Sequence, residues 1–167
     1  MDAGDSQKEI VGESFFDKSI SHISFTFIIF EHSINNKERT MSTIDEKTKA
    51  RLLDFTKNQT LNKTIESRRK IAGIEYIDIR RQLAIIMEEY GEGVDKEKIA
   101  KIELPFLLNS AKRNYPGLGD VLAIANVDVL FDEPYNFLHR DFIPEYSKDA
   151  ILVLQSRYYI SNNMVAM

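Results

Sequence analysis

Gly119-Asp-Val-Leu-Ala-Ile-Ala-Asn-Val-Asp-Val-Leu-Phe-Asp-Glu-Pro134 is the stretch on which the fold turns. From Asp120 to Ala125 the apolar residues run continuously instead of alternating. That is the pattern of a strand buried on both faces, and so of a parallel sheet covered by helices. Tyr115-Pro-Gly-Leu-Gly119 ahead of it is turn chemistry. Asn126-Val-Asp128 interrupts the run with polar groups, and Val129-Leu-Phe131 resumes it. Ala150-Ile-Leu-Val-Leu154 repeats the pattern and predicts a second interior strand.

Outward from these runs, strand and helix signals alternate. Ile23 to Phe30 mixes β-branched and aromatic residues and predicts a strand, with a polar loop from Ser33 to Ser42. Thr43-Ile-Asp-Glu46 has capping-box spacing and opens a helix to about Lys57, with Ile44, Ala50 and Leu53 inward. A second helical stretch runs from Thr60 to about Lys70 and stops at Gly73. Ile74 to Ile79 alternates apolar and acidic residues and predicts a short strand. Leu83, Ile86, Met87 and Tyr90 follow the i, i+3, i+4, i+7 spacing of a helix that Gly91 ends. Asp95 caps a further helix with Ile99 and Ile102 inward, which Pro105 kinks or restarts before Phe106, Leu107 and Ala111 continue the buried face. Asp132 is placed to cap a helix from Glu133 to Leu138. The expected fold class is α/β, a mostly parallel sheet with flanking helices and a partial GT-A/Rossmann-like core.

Composition bounds the function. The 167 residues suit a single domain, 1–167, with a polar tail over residues 1–20. There is no cysteine, which excludes disulfides, thiolate zinc sites and a cysteine nucleophile. The 22 Lys+Arg against 26 Asp+Glu leave a charge of −4, which argues against nucleic acid as the partner. No signal segment and no run long enough for a membrane span is read, so a cytoplasmic location is expected.

A strand ending in Asn126-Val-Asp128 puts an amide and a carboxylate at the carboxyl edge of the sheet, where open α/β folds bind ligands. A carboxylate there can hold Mg²⁺ or Mn²⁺, which bridges nucleotide phosphates. The string from Gly119 to Pro134 resembles the core of GT-A-type glycosyltransferase-like proteins, as do Leu104-Pro-Phe-Leu-Leu108 upstream and Ile151-Leu-Val-Leu-Gln-Ser-Arg157-Tyr downstream. The resemblance covers about residues 104–160, a third of the chain. It implies a nucleotide-diphospho-sugar as ligand, Asp128 as the ligand of the metal and of the sugar-nucleotide, Asn126 in the first motif position, and Arg157 as a supporting charge. It names no catalytic base. The chain ends about forty residues past the motif, where members of the fold carry the acceptor half, so the expectation is a minimal, partial or inactive relative.

The plainer readings stand beside it. Asn126 and Asp128 can simply satisfy free amides in an Asx turn. His139-Arg-Asp141, with His22 or His32, lacks the spacing of a helical metal pair. Ser110 and Ser156 have no nucleophile-elbow glycines, and Gly117-x-Gly119 precedes a strand, not a helix. Arg68-Arg69-Lys70, Arg80-Arg81 and Lys112-Arg113 fall on three elements and read as solvated faces. The competing function is a non-enzymatic assembly subunit, binding a protein partner or a second copy of itself. The first function needs Asp128 exposed in a polar crevice; the second allows it to be capped and buried.

Overall fold

An apolar run with amides to satisfy on both sides belongs in the middle of a sheet, and Gly119–Ala125 lies there. The computed structural model describes residues 43–59 and 63–157. They form α1 (Glu46–Lys57), β1 (Thr64–Ser67), β2 (Ile77–Asp78), α2 (Ile79–Tyr90), α3 (Lys96–Ala111) and β3 (Arg113–Tyr115). There follow β4 (Gly119–Ala125), α4 (Asp128–Phe131), α5 (His139–Tyr146) and β5 (Ile151–Gln155). By backbone contacts the chain divides into Met1–Met41 and Ser42–Met167, and the described residues belong to the second unit. The strand expected over Ile23–Phe30 and the loop after it lie outside them.

The sheet has five strands in the order β1-β5-β4-β2, all parallel, with β3 pairing antiparallel to β4. One edge of β4 is shared. Its first residues pair with β3 (Val121 with Arg113) and its last with β2 (Ala125 with Asp78). The other edge pairs with β5 along five residues, from Val121–Ile151 to Ala125–Gln155. Alternation then divides the core. Val121, Ala123, Ile151, Val153 and Ile65 cluster with Leu52 of α1. Leu122, Ile124, Leu152 and Leu154 face the opposite way and are fully buried, with α2 and α3 packed on β4 there through Leu83, Leu104 and Leu108. Helices on both faces explain why these strands read as unbroken apolar runs.

Several expectations are corrected, each for a local physical reason. The residues from Thr64 to Ser67 are a strand, not part of a helix, and all four are buried. Thr64 and Ile65 are β-branched, and β5 offers them a ladder. On the free side of this strand the Gln59 side-chain amide stands in for a neighbour. It accepts from the Thr64 amide at 2.7 Å and donates to the Thr64 carbonyl at 3.1 Å. The strand expected over Ile74–Ile79 shrinks to Ile77–Asp78 because tyrosine hydroxyls take the loop amides: Glu75 N donates to Tyr115 and Ile71 N to Tyr76.

In α1 the cap is Asp45, not Thr43, and Leu52 is buried while Leu53 is 41% exposed. Asp95 caps α3 as expected, accepting from the Lys98 amide. Pro105 does not interrupt that helix, whose buried residues continue on both sides of it, from Ile99 and Ala100 to Leu107 and Leu108. Ile102 and Phe106 fall on its outer side, 51% and 62% exposed. Val129–Phe131 belongs to a one-turn helix instead of resuming the strand, and the helix expected over Glu133–Leu138 is displaced to His139–Tyr146. Asp132 serves there through its backbone carbonyl, which accepts from the amides of Tyr135 and Asn136.

The inward residue of α1 is directly testable. Leu52→Ala should cost about 2–5 kcal/mol, the range for a filled core position. Leu53→Ala, partly in water already, should cost about 1 kcal/mol or less. Urea unfolding of both variants gives the comparison, and the reverse order would restore Leu53 as the core residue.

Candidate functional site at the carboxyl edge of the sheet

Four parallel strands end at one edge, and a chain of side-chain and backbone hydrogen bonds joins their ends. From Gln155, at the end of β5, Oε1 accepts from the Asn126 amide at 3.0 Å and Nε2 donates to the Arg68 carbonyl at 3.2 Å, just past β1. Asn126 Nδ2 donates to Asp78 Oδ1 at 3.1 Å, at the end of β2. The same Asp78 oxygen accepts from the Arg81 amide at 3.3 Å and so caps α2. Asn126 makes its bend with φ at +56°, a left-handed conformation that asparagine tolerates better than most residues. Val127 then donates its amide to the Gln155 carbonyl at 3.1 Å, and the chain turns into α4.

Asp128 opens α4 and is only 9% exposed. It does not cap the helix, whose N-cap is Val127 with no side-chain bond, so the Asx-turn reading does not describe this bend. Its Oδ2 lies 3.6 Å from Arg80 Nη2, in the first turn of α2, and the Arg80 side chain is 49% exposed. Its Oδ1 is shielded from solvent and has no hydrogen-bond partner among the described residues. Asp128 is thus buried instead of exposed in a polar crevice, the placement that the assembly-subunit reading allows; it caps no amide, and one of its oxygens faces a cation.

Burial raises the Asp78 carboxyl, but the Asn126 hydrogen bond, the Arg81 amide and the Lys70 charge outweigh that and hold it below its ordinary value of 3.8. His139 moves the other way from the usual response to nearby carboxylates. Burial against Phe131, with ring centroids 3.8 Å apart, lowers its pKa in spite of Glu66 and Asp132. It is an exposed residue at the start of α5 with one ring face against Phe131, and His22 and His32 lie outside the described residues. No group of three or more His, Asp or Glu side chains able to hold a metal is formed among the described residues. Ser110 Oγ donates to the Leu107 carbonyl within its own helix.

The basic clusters are rearranged most by the fold. Arg68, Arg69 and Lys70 follow β1, Arg80 and Arg81 follow β2, and Arg157 follows β5. Because these strands are parallel, the six exposed cations share the edge that carries Asn126 and Asp128. Arg113 belongs elsewhere: it pairs with Val121 near the start of β4 and bridges Glu75 at 3.4 Å. The sequence singles out Asn126, Asp128 and Arg157 as site residues, reads Arg80 as part of a solvated face, and does not single out Asp78 or Gln155. The recoverable signal was that each stands at the carboxyl end of an apolar or alternating run, as Asn126 does.

Comparison with protein-family models, curated proteins and solved structures finds no match to this chain. No helix among the described residues is long and apolar enough to cross a membrane.

The Asp78 pKa shift has a defined sign. A carboxyl held below its unfolded value stabilises the fold above about pH 4 and loses that contribution as pH falls through the folded value. Asp78→Asn should therefore destabilise the protein more at pH 7 than at pH 3, in urea unfolding at each pH. An equal loss at both would mean that the charge contributes nothing.

Proposed function

We propose that this domain binds the diphosphate portion of a nucleotide-diphospho-sugar at the carboxyl edge of its sheet, as a GT-A-type glycosyltransferase-like protein. The observation that carries the reading is the end of β4, where Asn126 and Asp128 stand on a bend fixed by Asp78 and Gln155. Six exposed cations on the same edge supply what a diphosphate needs, in a chain whose overall charge is −4. In this role Asn126 orients a ribose or phosphate oxygen, and Arg157 adds positive charge near the leaving group. A cytoplasmic setting is part of the same proposal.

The resemblance also implies Mg²⁺ or Mn²⁺ on Asp128, which would neutralise a leaving diphosphate. The donor set does not make a metal centre. Asp128 belongs to no group of three or more ligating side chains among the described residues, its Oδ2 faces an arginine and its Oδ1 is shielded. No step is therefore assigned to an ion, and no side chain here is assigned as a catalytic base.

A second reading, a non-enzymatic protein-interaction or assembly subunit, is favoured by the half-exposed Ile102 and Phe106 on the outer side of α3.

Calorimetric titration of UDP and GDP, with and without Mn²⁺, tests the first reading. Folded wild type should bind at least one of them, and Asn126→Ala should weaken that binding roughly tenfold, the worth of about one good hydrogen bond. A folded protein that binds neither nucleotide in either condition overturns the reading and leaves the second.

A further inference from the structure

We infer that Arg80 supplies the positive charge that a divalent ion would otherwise bring to the diphosphate, so that nucleotide binding at this edge is independent of metal. The inference rests on the nucleotide reading above and deepens it. Three observations carry it. Asp128, at the metal-ligand position that the resemblance implies, already has a cation: Arg80 Nη2 is 3.6 Å from its Oδ2. Asp128 belongs to no group of three or more carboxylate or imidazole side chains that could hold a metal among the described residues. The guanidinium is also half in water, with a 49% exposed side chain, while the carboxylate that faces it is nearly buried.

That asymmetry fits an aimed cation better than a structural ion pair. At 3.6 Å the contact is longer than a good charge-assisted hydrogen bond of about 2.7–2.9 Å, so Asp128 orients the guanidinium without saturating it. Arginine keeps its charge at every accessible pH and has five donors in a planar fork. One side of the fork can stay toward Asp128 while the other meets phosphate oxygens. Arg80 also stands in the first turn of α2, which Asp78 caps and Asn126 ties to β4, so its backbone is held against the motif. The shielded Asp128 Oδ1 is poorly placed to coordinate an ion.

The test is calorimetric titration of UDP and GDP into the full chain, once in EDTA and once in Mn²⁺. Wild type should bind with the same Kd, within about twofold, in both. Arg80→Gln should lose at least tenfold in EDTA, a charge-assisted hydrogen bond being worth more than about 1.5 kcal/mol. Arg80→Lys, which keeps the charge and loses the fork, should fall between them. Asp128→Ala should still bind in EDTA within about tenfold of wild type. Lys101→Gln, on α3, removes one exposed charge as a control and should change nothing. Thermal melts establish that each variant is folded.

Wild-type binding that requires Mn²⁺ and vanishes in Asp128→Ala overturns the inference and leaves the nucleotide reading standing. Arg80→Gln binding as wild type does in EDTA overturns it as well. Failure of folded wild type to bind either nucleotide in both conditions overturns the two together.

Discussion

The edge depends on two side-chain amides. Gln155 and Asn126 each reach sideways across the ends of parallel strands, one toward Arg68 and the Asn126 backbone, the other toward Asp78. Strand ends are where a sheet runs out of ladder partners, and buried amides and carbonyls there must find other ones. A glutamine or asparagine offers a donor and an acceptor on one rigid plane, so each can take over where the ladder stops. Their geometry fixes the bend at Asn126, the cap of α2 and the first turn of α4. The charged groups of the edge are positioned only because these links hold.

The sheet is legible where a buried strand is apolar on both faces and obscure where a buried strand carries polar side chains. Asp120–Ala125 and Ala150–Leu154 announce themselves because both faces are apolar. Thr64–Ser67 is equally buried but carries Thr, Glu and Ser, so its composition points to solvent and only its pairing with β5 makes it a strand. The helices show a related limit. Spacing located α2 and α3, but it could not choose between Leu52 and Leu53, which are adjacent, or see that Ile102 and Phe106 face outward.

The candidate site was half legible for a similar reason. Asn126 and Asp128 break an apolar run and so stand out. Asp78 and Arg80 lie at the junction of a two-residue strand and a helix, 46 or more positions upstream, where the end of a short alternating run is a far weaker local signal than a broken apolar one. Their role comes from topology alone, since parallel strands deliver distant segments to one edge. The same holds for the basic residues after β1, β2 and β5. Dispersed in sequence, they are gathered at one end of an acidic protein by the parallel order of the strands.

The pairing of β1 with β5 sets the order in which this molecule can assemble. Thr64 finds Leu152 only by closing a loop of more than eighty residues, whereas β3 and β4 are joined by a short turn, Tyr115 to Gly119. Local contacts form early and distant ones late, because chain closure loses entropy before the new contacts offset it. The hairpin is therefore the natural nucleus, and the outermost strand docks near the end. Gln155 meets the Arg68 carbonyl only at that late step. Maturation of the edge and completion of the fold are thus a single event, and a newly made chain gains the hydrogen-bonded end of its sheet last.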